Sequence, residues 1–336
     1  MASPYSKLGP TSFWRTGIAG AAAGEFPGLM QPRFDITKDM AIATAGSCFA
    51  QHVGRTLRRI GYNVIDAEPP PAGLTEEQAK SFGFSLYSAR HGNIYSFRQM
   101  LQLAMEAFGR FKPGDVVWQR DGRYFDALRP TVEPDGLHSA ELVLRHRTQH
   151  LAQVRRVLRE ADLLVFTLGL VEAWVHAPTG TVYPTAPGVV ADSEAPDEIV
   201  LKSFSFMEIR SDILLFRRLM QKYNPRLRIL FTVSPVPLTA TATDDHVLVA
   251  TMHAKSTLRA VVGAIRAECP EVDYFPSYEI IAGHPSAGRY YAPNLREVLP
   301  AGVDCVMRHF TAAYGAEASP AATPAEPLQV PRTTLA

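Results

Sequence analysis

The sequence predicts an α/β fold, with a central parallel sheet covered by helices on both faces. Short apolar runs of strand length alternate five times over with longer stretches of helical periodicity. The run Leu163-Leu164-Val165-Phe166 is apolar without alternation, as a strand buried on both faces must be. Residues with chemistry to offer fall just after strands, the edge where such sheets hold ligands.

The elements follow in order. Residues 40–45 are small and apolar and form the first strand. Residues 51–60 form a helix with Val53, Leu57 and Ile60 on one face and Arg55, Arg58 and Arg59 on the others. Residues 63–66 are a short strand, and the three prolines at 69–71 make a loop. Thr75 before Glu76 and Glu77 signals a helix start. Residues 96–108 are a helix with Met100, Leu101, Ala104, Met105 and Phe108 at helical spacing. Residues 115–126 read as a β-hairpin insertion turning at Asp121-Gly122, a natural substrate wall. Residues 139–160 form an amphipathic helix. Leu142, Leu151, Val154 and Leu158 face inward, and Arg145, Arg147, Arg155, Arg156 and Arg159 form a solvated outer face. Residues 162–168 are the buried strand. Residues 176–198, with four prolines, form a flap over the active edge. A helix over 205–223, a strand over 228–233, a helix from His246 to 266, a strand over 272–276 and a closing helix over 301–314 complete the pattern.

This divides the chain into an N-terminal arm (1–33) anchored by scattered aromatics, one α/β domain (34–314) and an Ala/Pro/Thr-rich disordered tail (315–336). Apolar content of 46% and a net charge of +1 describe an ordinary globular protein and give no reason to expect nucleic acid as a partner. Cys48, Cys269 and Cys305 are odd in number and lack metal-ligand spacing. They fit reduced thiols in a cytoplasmic setting, with no disulfide and no metal. No signal-peptide core is expected, because Trp14 and Arg15 interrupt early, and residues 18–23 are too short to span a membrane.

Gly46-Ser47-Cys48-Phe49-Ala50 sits at the first strand-to-helix turn. A serine there serves either as a helix N-cap or as an exposed nucleophile near free helix amides. The string itself resembles the GSCFA family, related to the SGNH (GDSL-like) hydrolases. Further matching stretches are Gly92-Asn93-Ile94-Tyr95, Thr167-Leu168-Gly169-Leu170-Val171-Glu172-Ala173-Trp174, and Thr232-Val233-Ser234-Pro235-Val236-Pro237-Leu238. Ala254-Lys255-Ser256-Thr257-Leu258-Arg259 and Tyr274-Phe275-Pro276-Ser277-Tyr278-Glu279-Ile280 complete the set. The resemblance runs over about residues 34–310.

The resemblance implies a flavodoxin-like three-layer sandwich and an acyl-ester hydrolase or O-acyltransferase acting on a carbohydrate or polysaccharide. Ser47 would be the nucleophile. Gly46, Gly92 and Asn93 would supply the oxyanion site with the serine's own amide, and Gly169, Ser234, Tyr278 and Glu279 would line the substrate site. No cofactor is implied, although a transferase would take acetyl-CoA or another acyl donor. The oligomeric state stays open.

Two departures matter. Glu172 stands near where the relatives carry the Asn of Gly-x-Asn. The Asp-x-x-His motif before the last helix is replaced by Asn294 and Glu297. A serine needs a base, which leaves His284, His246 or His253, or a carboxylate, Glu172 or Glu279. Cys48 is a rival nucleophile but is expected to face the helix packing. A non-catalytic protein binding a carbohydrate or acyl carrier, or one acting beside glycosyltransferases in polysaccharide assembly, also stays open. A histidine nitrogen within reach of Ser47 would favour the enzyme.

Overall fold

A computed structural model describes residues 3–22 and 24–315. The elements are, in chain order, β1 (Ile42–Gly46), α1 (Phe49–Arg59), α2 (Glu76–Ser81), α3 (Phe97–Ala107), β2 (Val117–Arg120), β3 (Arg123–Asp126), α4 (Ala140–Glu160), β4 (Leu163–Leu168) and β5 (Glu172–His176). They continue with β6 (Thr181–Tyr183), β7 (Ile199–Ser203), α5 (Phe206–Tyr223), β8 (Arg228–Val233), α6 (Val247–Glu268), β9 (Val272–Tyr274), α7 (Ser277–Ala282) and α8 (Pro300–Tyr314).

The central sheet is parallel throughout, in the order β1-β4-β8-β9. The segment expected as a second strand shrinks to a parallel bridge between Val64 and Ile42 on the outer side of β1. Its position gives the strand order of a flavodoxin-like sheet. The run cannot lengthen, because Pro69, Pro70 and Pro71 follow it closely and lack amide donors. One face of the sheet packs on α3, α5 and α6 through Phe97, Phe166, Phe216 and Phe231. The other packs on α1, α7 and α8 through Phe49, Leu57, Ile280 and Phe310.

Local signals explain most helix starts. Thr75, Ser96 and Ser205 each form a capping box with the residue three positions on. Asp121 and Gly122 both take positive φ, and the β2–β3 hairpin turns there as expected. The 172–203 region is more regular than a flap: β5, β6 and β7 form an antiparallel sheet in the order β6-β5-β7.

The inward face of α4 differs from expectation. Arg147 is buried, beside Val143 and His150, instead of lying on a solvated basic face. Arg147 donates to Glu106 and, at 2.9 Å, to Asp126, which also accepts from Arg129 at 2.8 Å. In the arm, Trp14 stacks on His284 and Phe26 on His309, whereas Tyr5 and Phe13 are exposed. The expected tail beyond Gly315 lies outside the described residues.

Candidate active site

Gly46 closes β1 with φ at +129°, a conformation that favours glycine. A Cβ there would lie 2.4 Å from the Thr167 carbonyl oxygen. The absent side chain lets β1 press against β4 to its last residue. Ser47 then donates its amide to the Thr167 carbonyl at 3.0 Å, and α1 starts two residues later. The serine is therefore pinned at the carboxyl edge of the sheet. Its side chain is buried, and Oγ has no hydrogen-bond partner among the described residues. Leaving a buried hydroxyl unpaired costs about 1–3 kcal/mol.

Ser47 lines a cleft of about 540 Å³. Tyr95, Gly169, Glu172 and Trp174 form one part of its wall, and Pro184, Thr185, Ala186 and Val189 another. Ser234 and the 236–242 segment face them, with Lys255 and Arg296 completing the lining. The cleft thus gathers Ser47, Gly169, Glu172 and Ser234 as the sequence predicts. The 184–189 part of the expected flap also reaches it.

The residues expected at an oxyanion site are placed as follows. The amide of Ser47 is committed to Thr167, while the amides of Cys48 and Phe49 find no acceptor among the described residues. Gly46 contributes by allowing the turn. Gly92 does not line the cleft; its open side faces Thr131 and Val132. Asn93 stands one layer back. Its Oδ1 accepts from Tyr87, and its Nδ2 donates to the Tyr95 hydroxyl at 3.0 Å, which steadies a wall residue.

The residues expected as bases are placed as follows. His284 is exposed and stacks on Trp14 at 5.0 Å. His246 is exposed, and its Nδ1 caps α6 by accepting from the Leu248 amide at 3.2 Å. His253 is exposed on α6, away from the apolar face that Ala250, Ala254 and Leu258 present to the core. None of the three lines the cleft. Glu279 is held by Arg259 and by the Tyr274 hydroxyl, both at 2.6 Å, and Tyr278 packs on the core, so neither reaches the cleft either. Asn294 accepts from the Arg296 and Glu297 amides, both at 3.0 Å, which makes it a turn-former. Glu172 does face the cleft, and both of its carboxylate oxygens accept from Thr241 at 2.9 Å.

In place of a histidine the cleft holds Lys255. Only 1% of it is exposed, and Nζ donates to the Gly169 carbonyl at 2.8 Å. Gly169 also packs on the serine, since a Cβ added to it would meet the Ser47 Cβ at 3.0 Å. Amine and hydroxyl therefore flank one residue. Burial lowers the Lys255 pKa to about 7; the Arg296 charge pushes the same way and a Cys48 thiolate would oppose it. A sequence signal for Lys255 exists: it falls among Thr251, Ala254 and Leu258 on the buried face of a helix. Cys48, expected in the helix packing, is half-buried and lines the cleft. Tyr95 lay in one of the stretches that match the family, whereas Arg296 and Thr241 had no comparable signal.

Residues 41–310 match the GSCFA family model. The chain belongs to the GSCFA family. The match covers both Ser47 and Arg296, so this GSCFA protein carries its whole cleft inside the family region. Comparison with curated proteins finds no match. Among solved structures, a Corynascus thermopiles (Myceliophthora fergusii) carbohydrate esterase family 2 enzyme with its carbohydrate-binding domain is similar at 13% identity. The alignment covers 86% of this chain and 69% of that one, at a TM-score of 0.29, too loose a likeness to assign chemistry. Among the described residues of this GSCFA chain, no cluster of His, Cys, Asp and Glu could hold a metal, and no helix is long and apolar enough to cross a membrane.

Proposed function

We propose that the cleft is an acyl-transfer site, an esterase or O-acyltransferase of SGNH type, with Ser47 as nucleophile and a carbohydrate or polysaccharide ester as substrate. The Ser47 hydroxyl carries this reading: it is buried, unpartnered and placed at a strand-to-helix turn with two uncommitted amides after it. Lys255 supplies the base that the histidines do not. An amine with a pKa near 7 is neutral in a large fraction of molecules at neutral pH. It accepts the Ser47 proton as Oγ attacks the ester carbonyl, and the amides of Cys48 and Phe49 stabilise the oxyanion. The Lys255 ammonium returns the proton to the departing alcohol oxygen. Water or an acceptor hydroxyl then attacks the acyl-serine, losing its proton to Lys255, and the Lys255 ammonium passes that proton to the departing Ser47 Oγ, which restores both groups. The Tyr95 and Trp174 rings in the wall suit the apolar faces of a sugar.

Under this reading residues 34–314 act as one catalytic unit in a reducing, cytoplasmic setting that keeps the three thiols free. No cofactor takes part, and a transferase would use acetyl-CoA or another acyl donor as co-substrate. The second reading, a protein that binds a carbohydrate or acyl carrier without turning it over, is favoured by the absence of a histidine from the cleft lining.

Turnover of p-nitrophenyl acetate and of acetyl-CoA, in wild type, Ser47→Ala and Cys48→Ala, tests the reading. Activity lost in Ser47→Ala and retained in Cys48→Ala supports it. The reverse pattern moves the nucleophile to the thiol. Binding of a sugar without any turnover replaces catalysis by the binding reading.

A further inference from the structure

Arg296 is presented to the cleft by a closed turn. Tyr291 pairs with Val298, the Ala292 amide donates to the Glu297 carbonyl at 2.8 Å, and Asn294 ties the amides of Arg296 and Glu297. The Tyr291 hydroxyl fastens this turn to the Pro235 carbonyl at 2.7 Å, at the end of β8. The guanidinium so placed has no ion pair and no hydrogen bond among the described residues, and its Nε is shut off from solvent. Its charge is felt by Lys255 and Tyr95, which reach the cleft from α6 and from the segment before α3.

Two cationic side chains thus line one cleft, and among the described residues no carboxylate pairs with either. Glu172, the acidic side chain in the lining, is turned to the Thr241 hydroxyl. Elsewhere, Arg90, Arg129, Arg147, Arg259 and Arg266 each hold a carboxylate. A planar, always-charged donor set left open at a ligand cleft matches an oxyanion.

We propose that the substrate of this cleft carries an acidic group, a carboxylate or a phosphate, which seats on the Arg296 guanidinium beside the ester that Ser47 attacks. The proposal rests on the acyl-transfer reading and adds a substrate class to it. The anionic group fixes the orientation of the ester. It also supplies the counter-charge that Arg296 and a protonated Lys255 lack.

The test compares 4-acetoxybenzoate (carboxylate) and 4-acetoxyphenyl phosphate (phosphate) with the neutral isostere 4-acetoxybenzamide, in wild type, Arg296→Lys and Arg296→Ala. Wild type is expected to favour at least one acidic ester over the neutral one by about ten-fold or more in kcat/KM, the scale of a charge-assisted contact. Whichever of the two is favoured identifies the group. Arg296→Ala should bring the ratio near one, and Arg296→Lys should keep part of it. A ratio unchanged in Arg296→Ala, or absent in wild type, overturns the proposal. If no ester is turned over at all, acyl transfer fails instead. Calorimetry with 4-hydroxybenzoate and phenyl phosphate then decides the anion site separately. Binding lost in Arg296→Ala supports it, whereas equal or absent binding overturns it.

Discussion

Where α3, α4 and β3 meet, Arg147 lies between Glu106 and Asp126, and Arg129 shares Asp126. At the carboxyl edge of the sheet, Lys255 is as deeply buried and has a single backbone carbonyl for company. In the first region burial raises the Asp126 pKa, but the two arginines outweigh it and hold the carboxylate charged. Nearby, burial pushes His150 down to about 4, so this ring is neutral at pH 7 and bonds Glu68 at 2.7 Å. In the second region burial acts on the Lys255 amine without a carboxylate to oppose it. Buried charge that is paired is compensated, and removing one partner is expensive. Unpaired buried charge at a cleft is kept for another reason, and it marks where chemistry or a ligand is to be sought.

The comparison can be broken at several points. Ser47→Ala should lower turnover by about four orders of magnitude or more, the scale seen when a nucleophile is removed, while urea unfolding shows a stability equal to wild type or higher by up to about 1–3 kcal/mol, because the buried hydroxyl has no partner among the described residues. A loss of stability in step with activity would show that Ser47 belongs to the packing instead. Arg147→Ala should do the opposite. It strands Glu106 and Asp126, so it should destabilise the fold by about 3–5 kcal/mol in denaturant unfolding.

Lys255→Met should act on both. An amine titrating near 7 in the fold and near 10.4 when unfolded makes the unfolded chain the better proton binder between those values. Wild-type stability therefore rises with pH across that window, and below it the buried charge exerts its full penalty. The methionine variant lacks this dependence. The stability difference between the two proteins should shift in favour of wild type by about 3 to 4 kcal/mol from pH 7 to pH 10. A flat difference would mean that Lys255 titrates normally. In wild type, kcat/KM should rise as pH passes about 7, and Lys255→Met should remove both that limb and most of the activity. The smallest effects are expected at His246, His253 and His284. Alanine at each should change turnover by less than about two-fold in an initial-rate assay, since surface substitutions outside a site are close to neutral.

The sheet was legible because its strands bury both faces: 163–168 and 228–233 are apolar nearly throughout, and only a parallel sheet between helix layers accepts such runs. The place of Ser47 was legible because a glycine before a serine at a strand end marks a strand-to-helix turn. The proposed base was not. Reading histidines as the natural acceptors pointed at His284, yet nothing local says whether a ring turns inward, and Trp14 from the distant arm holds that one outside. Lys255 belongs to the apolar stripe of its helix, where a charged residue breaks the pattern. Arg296 depends on a turn closed by backbone bonds and on Tyr291 reaching Pro235, contacts that spacing does not reveal. Arg147 misled for a related reason. Its partners Glu106 and Asp126 come from other elements, so its helix alone reads as solvated.

The antiparallel sheet of β5, β6 and β7 leaves the main fold just after β4 and returns just before α5, and Glu172 and Ser203, its first and last residues, pair directly. The ends of the excursion touch, but its body is tied to the main fold: Gln102 of α3 donates to the Gly180 carbonyl at 2.7 Å, and Ala173 and Val182 pack in the main core. Residues can be added at its exposed tip around Gly188 and Val189 at little entropic expense, because the closure is already made at the base. One wall of the cleft can therefore diverge between descendants of this chain while the β1–β4 pairing beneath Ser47 stays fixed, a division that lets one side of the cleft change its lining without disturbing the other.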